Sequence, residues 1–129
     1  MKVPYWLTRE ECLALHDLML SQYGGRAGLR DAGLLESALA RPQQLFRYDK
    51  PTMAALADAY AVGIVQNHPF VDGNKRTGFM MGAAFLERNG YDFFATEAEA
   101  VVNTLALAAG EMEEAKYAVW LKANSKRAL

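Results

Sequence analysis

An all-α domain is the expectation that the amino-acid sequence supports, and three observations carry it. Apolar residues recur at i, i+3 and i+4 along most of the chain, Thr and Asp stand as cap residues ahead of several of these runs, and glycine or proline closes them. At 129 residues the chain suits one domain, residues 1–129, with one continuous core and no need of disulfide or metal staples.

Thr8 with Glu11 forms a capping box, and Cys12, Leu15, Met19 and Leu20 then repeat at helical spacing until Gly24 and Gly25. Asp31 caps a second helix in which Leu35, Ala38 and Leu39 share a face, and Pro42 is expected to stop it near Ala40. The aromatic stretch "QQLFRYDK", Gln43 to Lys50, is expected to form a small hairpin or flap. Pro51 suits the first turn of a third helix whose core side is Met53, Leu56, Ala57, Tyr60, Ala61, Ile64 and Val65. His68 precedes Pro69, which disfavours the α region, so that helix should end near Asn67 and the chain should run extended through Phe70 and Val71. From Asn74 or Lys75 to Arg88 the pattern is helical and apolar on nearly every side, which marks a buried central helix closed by Asn89 and Gly90. Thr96 and Glu99 repeat the capping box ahead of Val101, Val102, Leu105 and Ala108, Gly110 breaks that helix, and a last one runs from Met112 to Ala123.

Hydrophobic residues are 52% of the chain and charged residues 22%, a globular balance. A formal net charge of −1 lacks the cationic field that sequence-independent nucleic-acid binding requires, so no direct nucleic-acid partner is expected. The longest apolar run, Gly78 to Leu86, is far short of the roughly 20 residues of a membrane span. Arg9, Glu10 and Glu11 stand where a signal peptide needs an apolar region. The lone Cys12 lies on the apolar face of its helix and is expected to be a buried, inert thiol. No membrane association and a cytoplasmic location are therefore expected.

The stretch "HPFVDGNKRTG", His68 to Gly78, is polar yet sits between two of the most apolar segments. A helix starting at Gly73-Asn74-Lys75 leaves its first N–H groups unpaired at the positive end of the macrodipole, which makes an anion site. Cations in that first turn are unfavourable unless an anion docks there, so Lys75 and Arg76 point to a phosphate together with Gly73 and Asn74. His68, tethered by Pro69 and by an anchoring Phe70, stands beside cations that favour a neutral imidazole able to accept a proton. Asp72 is placed to hold Mg²⁺, which takes one or two carboxylates and leaves its other positions to phosphate and water. Taken singly, His68 is more often a structural or surface histidine, Asp72 and Asn74 are caps, Gly73 is a turn, and Lys75 with Arg76 is a solvated face. Their concentration in one loop-to-helix junction favours nucleotidyl or phosphoryl transfer. His16 is read as structural or surface, and the familiar P-loop, dinucleotide and zinc signatures are missing from the sequence.

"HPFVDGNKRTGF" resembles the core motif of the Fic/Doc (Fido) family, H-x-F-x-D/E-G/A-N-x-R-x-x-R, at His68, Phe70, Asp72, Gly73, Asn74 and Arg76. The resemblance is widest with the death-on-curing (Doc) branch through "YGG", "GLRDAGLLESALARPQ", "GNKRT" and "FLERNGY". It implies a compact helical fold with a flap near the site, in which His68 takes a proton from the acceptor hydroxyl, Asp72 holds Mg²⁺, Gly73 and Asn74 cradle the anion, and Lys75 and Arg76 neutralise the transferred group. Phe79 replaces the final arginine and Lys75 stands where Fic proteins carry glycine, a form similar to Doc kinases that move the γ-phosphate of ATP. By that likeness the chain is a toxin of a type II toxin–antitoxin pair. Its target is a Thr or Ser hydroxyl of elongation factor Tu, growth arrest is the outcome, and control comes in trans from a Phd-like antitoxin. AMP transfer and a catalytically silent partner-binding module are the alternatives.

Overall fold

The computed structural model describes residues 3–128. Six helices and one small sheet follow in the order α1 (Arg9–Tyr23), α2 (Ala32–Tyr48), α3 (Met53–Asn67), α4 (Asn74–Arg88), β1 (Tyr91–Phe93), α5 (Glu97–Ala108), α6 (Glu114–Ala123) and β2 (Ser125–Arg127). The fold is all-α in class, and local capping chemistry sets most helix starts. Thr8 and Glu11 form the reciprocal capping box of α1, Asp31 accepts from Leu34 N–H at 2.9 Å, and Thr96 accepts from Glu99 N–H at 3.1 Å. The third helix starts at Met53, two residues later than Pro51 suggests, because Thr52 is its cap and accepts from Ala55 N–H at 3.1 Å.

Two expectations fail in the second helix. Pro42 does not stop it, and Gln43–Lys50 is no hairpin, because α2 continues for 17 residues to Tyr48. Proline forfeits one backbone donor and crowds the preceding turn. The apolar face nonetheless continues at helical spacing from Leu35, Ala38 and Leu39 through the buried Pro42 itself to the half-buried Leu45 and Phe46. Keeping that face on the core outweighs one lost hydrogen bond.

The helix enclosed most completely is α3, buried from Leu56 through Val65. The fourth helix, expected at the centre, is buried on the side that faces α3 and keeps Lys75, Arg76, Glu87 and Arg88 in solvent. Close approach between helices is set by small residues: Ala38 lies beneath Gly63, and Ala57 and Ala61 lie beneath Gly82 and Gly78. Trp6, Tyr60 and Phe85 stack over the far end of this interface, and the Tyr60 hydroxyl receives the Leu7 N–H at 3.0 Å. The strands β1 and β2 pair antiparallel, Tyr91 with Arg127 and Phe93 with Ser125. Cys12 is fully buried and burial pushes its thiol up to about 12, which keeps it protonated and inert. Among the described residues no helix is long and apolar enough to cross a membrane.

Asp58 is the one acidic side chain on α3 and is 5% exposed, with Oδ1 lacking a partner. Burial, and then the charge of Glu114, push its carboxyl from the ordinary 3.8 up to about 8, so that near neutral pH it is protonated and hydrogen-bonds Glu114. Glu114 in turn receives Arg41 at 2.7 and 2.8 Å. A carboxyl with a raised value in the fold holds its proton more tightly there than in the unfolded chain. The stability it contributes is whole below about pH 4, declines as pH rises and is gone above about pH 8. Asp58→Asn is expected to remove that decline, so its melting temperature falls less than that of the parent between about pH 5 and pH 9. Parallel melting curves across that range would overturn the assignment.

Candidate active site

The chemistry-bearing residues lie on a tight loop between α3 and α4, and each turn of that loop has a local cause. Pro69 disfavours the right-handed α conformation at His68. The alternative adopted is left-handed, φ 55 and ψ 51, not the extended one expected. That choice lets the His68 N–H close on the Ile64 carbonyl at 3.1 Å as a helix cap. His68 is the one non-glycine residue with positive φ among the described residues, and its imidazole is exposed. Phe70 is 1% exposed and stacks on His16 at 3.8 Å with planes 8° apart. The Asn74 side chain then locks this residue from both sides: Phe70 N–H donates to its Oδ1 at 2.9 Å, and its Nδ2 donates to the Phe70 carbonyl at 3.0 Å.

Asp72 is exposed and held by two backbone donors, Arg26 N–H to Oδ2 at 3.1 Å and Gly73 N–H to Oδ1 at 2.9 Å. The Arg26 amide first, and then the Gly73 amide, keep its carboxyl below the usual carboxylate range, helped by the charges of Arg26 and Arg76. Gly25 permits this approach, since its φ is +123° and a Cβ there would stand 3.0 Å from Asp72 Oδ2. Gly73 takes φ 79 as the N-cap of α4, a left-handed position that a side chain would strain.

No side-chain cap closes the start of α4 among the described residues. The first-turn N–H groups of Asn74, Lys75 and Arg76 therefore remain as donors at the positive end of the helix dipole. The Arg76 guanidinium lies 4.3 Å from the centre of the Tyr23 ring, which restrains it beside the cavity. His68, Asp72, Gly73, Asn74, Lys75 and Arg76 all line one cavity of about 790 Å³. The lining also carries apolar side chains, Phe79 and Met80 from α4 itself, Phe93 from β1, and Val101 and Leu105 from α5. Phe79 packs with Phe93 at 5.8 Å and Trp120 at 6.2 Å between ring centres. Chemically this is a concave site with unpaired backbone donors and two cations at one end, an exposed imidazole and apolar side chains beside them, a setting in which an anion would be favoured.

His16 belongs to this architecture although the sequence isolates it. It is 3% exposed, and its Nε2–H donates to the Asp72 carbonyl at 2.8 Å, which assigns the tautomer. The signal was the spacing of Cys12, His16 and Met19 on one buried face, where a polar ring must find a partner. Arg26 and Tyr23 carry no comparable local sign.

With this fold and loop in place, the chain belongs to the Fic/Doc family, whose family model matches residues 6–86. It is 34% identical to the protein kinase doc of Escherichia phage P1 over 117 residues, 90% of this chain and 92% of that protein. It is 36% identical to the toxin Doc of Mycolicibacterium smegmatis over 107 residues, 78% of this chain and 80% of that protein.

Proposed function

We propose that this protein is the toxin of a type II toxin–antitoxin pair and transfers the γ-phosphate of ATP to a Thr or Ser hydroxyl of a protein target. The expected target is elongation factor Tu, with arrest of translation as the outcome. The observation that carries this reading is the uncapped start of α4, with Lys75 and Arg76 in its first turn and His68 on the rim of the same cavity. Its likeness to a kinase and a toxin of the same family supports both halves of the reading.

In this mechanism the free N–H groups of α4, Lys75 and Arg76 hold the γ-phosphate. His68 accepts the hydroxyl proton as the hydroxyl oxygen attacks phosphorus, the bond from phosphorus to the bridging oxygen of ATP breaks, and ADP leaves. Asp72 is ionised, and each of its oxygens keeps a lone pair beyond the one taken by a backbone N–H, so the carboxylate fits Mg²⁺. That ion, when bound, supplies charge neutralisation on the phosphate oxygens. The exposed Leu18, Val101 and Leu105 on the cavity rim suit an amphipathic antitoxin tail of the Phd-like kind. A cytoplasmic site of action follows from the proposed target.

AMP transfer is the second reading, and Phe79 speaks against it. At the position where Fic proteins place a second phosphate-gripping arginine, an aromatic ring packs against Phe93 and Trp120. Incubating the protein with elongation factor Tu and ATP labelled at the α or the γ position separates the two. Label from the γ position alone is expected on the target, and α label there would replace phosphoryl transfer with AMP transfer.

A further inference from the structure

His68 occupies a backbone conformation that side-chain-bearing residues seldom adopt, and something must hold it there. Arg30 is placed to do so, because one residue engages three consecutive carbonyl oxygens around the histidine. Its Nη2 donates to Asn67 O at 3.0 Å, its Nε donates to His68 O at 2.7 Å, and its backbone N–H donates to Pro69 O at 2.7 Å. The first two carbonyls end α3 and carry the negative end of its dipole, so a guanidinium there is favoured by charge as well as by hydrogen bonding. The planar fork matters: Nε–H and the neighbouring Nη2–H point the same way at a fixed separation and meet two successive carbonyls at once, a geometry that a lysine ammonium does not reproduce. The His68 carbonyl is the handle through which the peptide plane joining His68 to Pro69 is oriented. That plane, with the N–H cap to Ile64, defines both dihedrals of the residue that presents the imidazole.

We infer that Arg30 is a positioning residue for His68, holding the imidazole toward the acceptor hydroxyl without touching substrate. Arg30 lies outside the phosphate end of the cavity, so its loss disturbs proton transfer rather than ATP binding. The inference rests on the phosphoryl-transfer reading for its catalytic consequence, while its structural half is independent of that reading.

The test uses the full chain with Arg30→Ala and Arg30→Lys, and His68→Ala as reference. Two readouts are taken: steady-state γ-phosphoryl transfer, and backbone and ring chemical shifts of His68 by NMR. Arg30→Ala is expected to lower kcat by at least about 10-fold with the KM for ATP changed less than about twofold, since small misplacements of a reacting group carry penalties of that order. Arg30→Lys is expected to recover only part of that loss. The His68 shifts move in Arg30→Ala while those of Lys75 and Arg76 stay, and adding Arg30→Ala to His68→Ala lowers kcat no further. If Arg30→Ala does not fold, Arg30→Gln, which keeps one amide donor, is read in its place. Unchanged His68 shifts overturn the inference whatever the activity does. Moved shifts with a parental kcat overturn its catalytic part. A His68→Ala protein that transfers phosphate at the parental rate sinks the functional reading instead, and the shifts still decide whether Arg30 holds the loop.

Discussion

Replacing His68 by alanine is expected to lower kcat for phosphoryl transfer by about 10²–10⁴-fold while ATP still binds, because the change removes the proton acceptor that the loop presents beside the start of α4. Asp72 is the rival on the same loop, and its environment disqualifies it. The amide hydrogens of Arg26 and Gly73 already stabilise its charged form, and the charges of Arg26 and Arg76 add to them, so the carboxylate is a weaker base than an ordinary aspartate. Lys75 and Arg76 carry protons and have none to accept. Single-turnover rates of parent and His68→Ala check the point. Parental transfer by the variant takes the base role from His68. Growth arrest that persists in the variant transfers the toxicity from chemistry to partner binding.

How far such a site can be read from sequence depends on whether the interacting groups are neighbours along the chain. Thr8, Asp31 and Thr96 were legible as helix starts because each side chain bonds an N–H three residues on. His68, Asp72, Lys75 and Arg76 were legible for the same reason: one short loop carries them all. The groups that hold that loop are not local. His16 meets Asp72 across 56 positions, Arg26 meets it across 46, and Arg30 meets His68 across 38. Nothing in the periodicity of α1 or in the run after Gly25 announces those meetings. Pro42 failed for the opposite reason, since a valid local rule was overruled by an apolar face that continues to Phe46. The left-handed His68 shows a rule applied too narrowly: proline excludes one basin for its predecessor and leaves two. Strands of three residues, such as β1 and β2, carry too few positions for alternation to register, and only their pairing defines them.

The largest effect on stability is expected at Gly78, where α4 meets the core. A Cβ added there would lie 2.7 Å from Val65 Cγ2 and 2.9 Å from the Ala61 carbonyl oxygen, both on α3. A side chain at the surface can turn away from such a clash. The Ala61 carbonyl cannot, because it belongs to the backbone of a helix buried along its middle, so α4 itself must move outward. Helix propensity pulls the other way, since alanine is favoured over glycine by about 1 kcal/mol in a helix interior. Overpacking by one methyl in a rigid interface costs about 1–3 kcal/mol and wins when the obstacle is backbone. Gly82 offers a graded comparison, because its Cβ would meet the Ala57 carbonyl at 3.1 Å, a distance that a few tenths of an ångström relieve. Thermal unfolding should therefore rank Gly78→Ala below Gly82→Ala, with Gly78→Val lowest of all and depressed by about 10 °C or more. Because Gly78 lies only one turn beyond Lys75 and Arg76, the outward shift also carries the open N–H groups away from His68. Transfer by Gly78→Ala should then fall even at temperatures where the variant is fully folded. A Gly78→Ala protein with parental melting and parental transfer would mean that α3 and α4 do not approach at this separation, and the placement of the first N–H groups of α4 against the histidine would go with it.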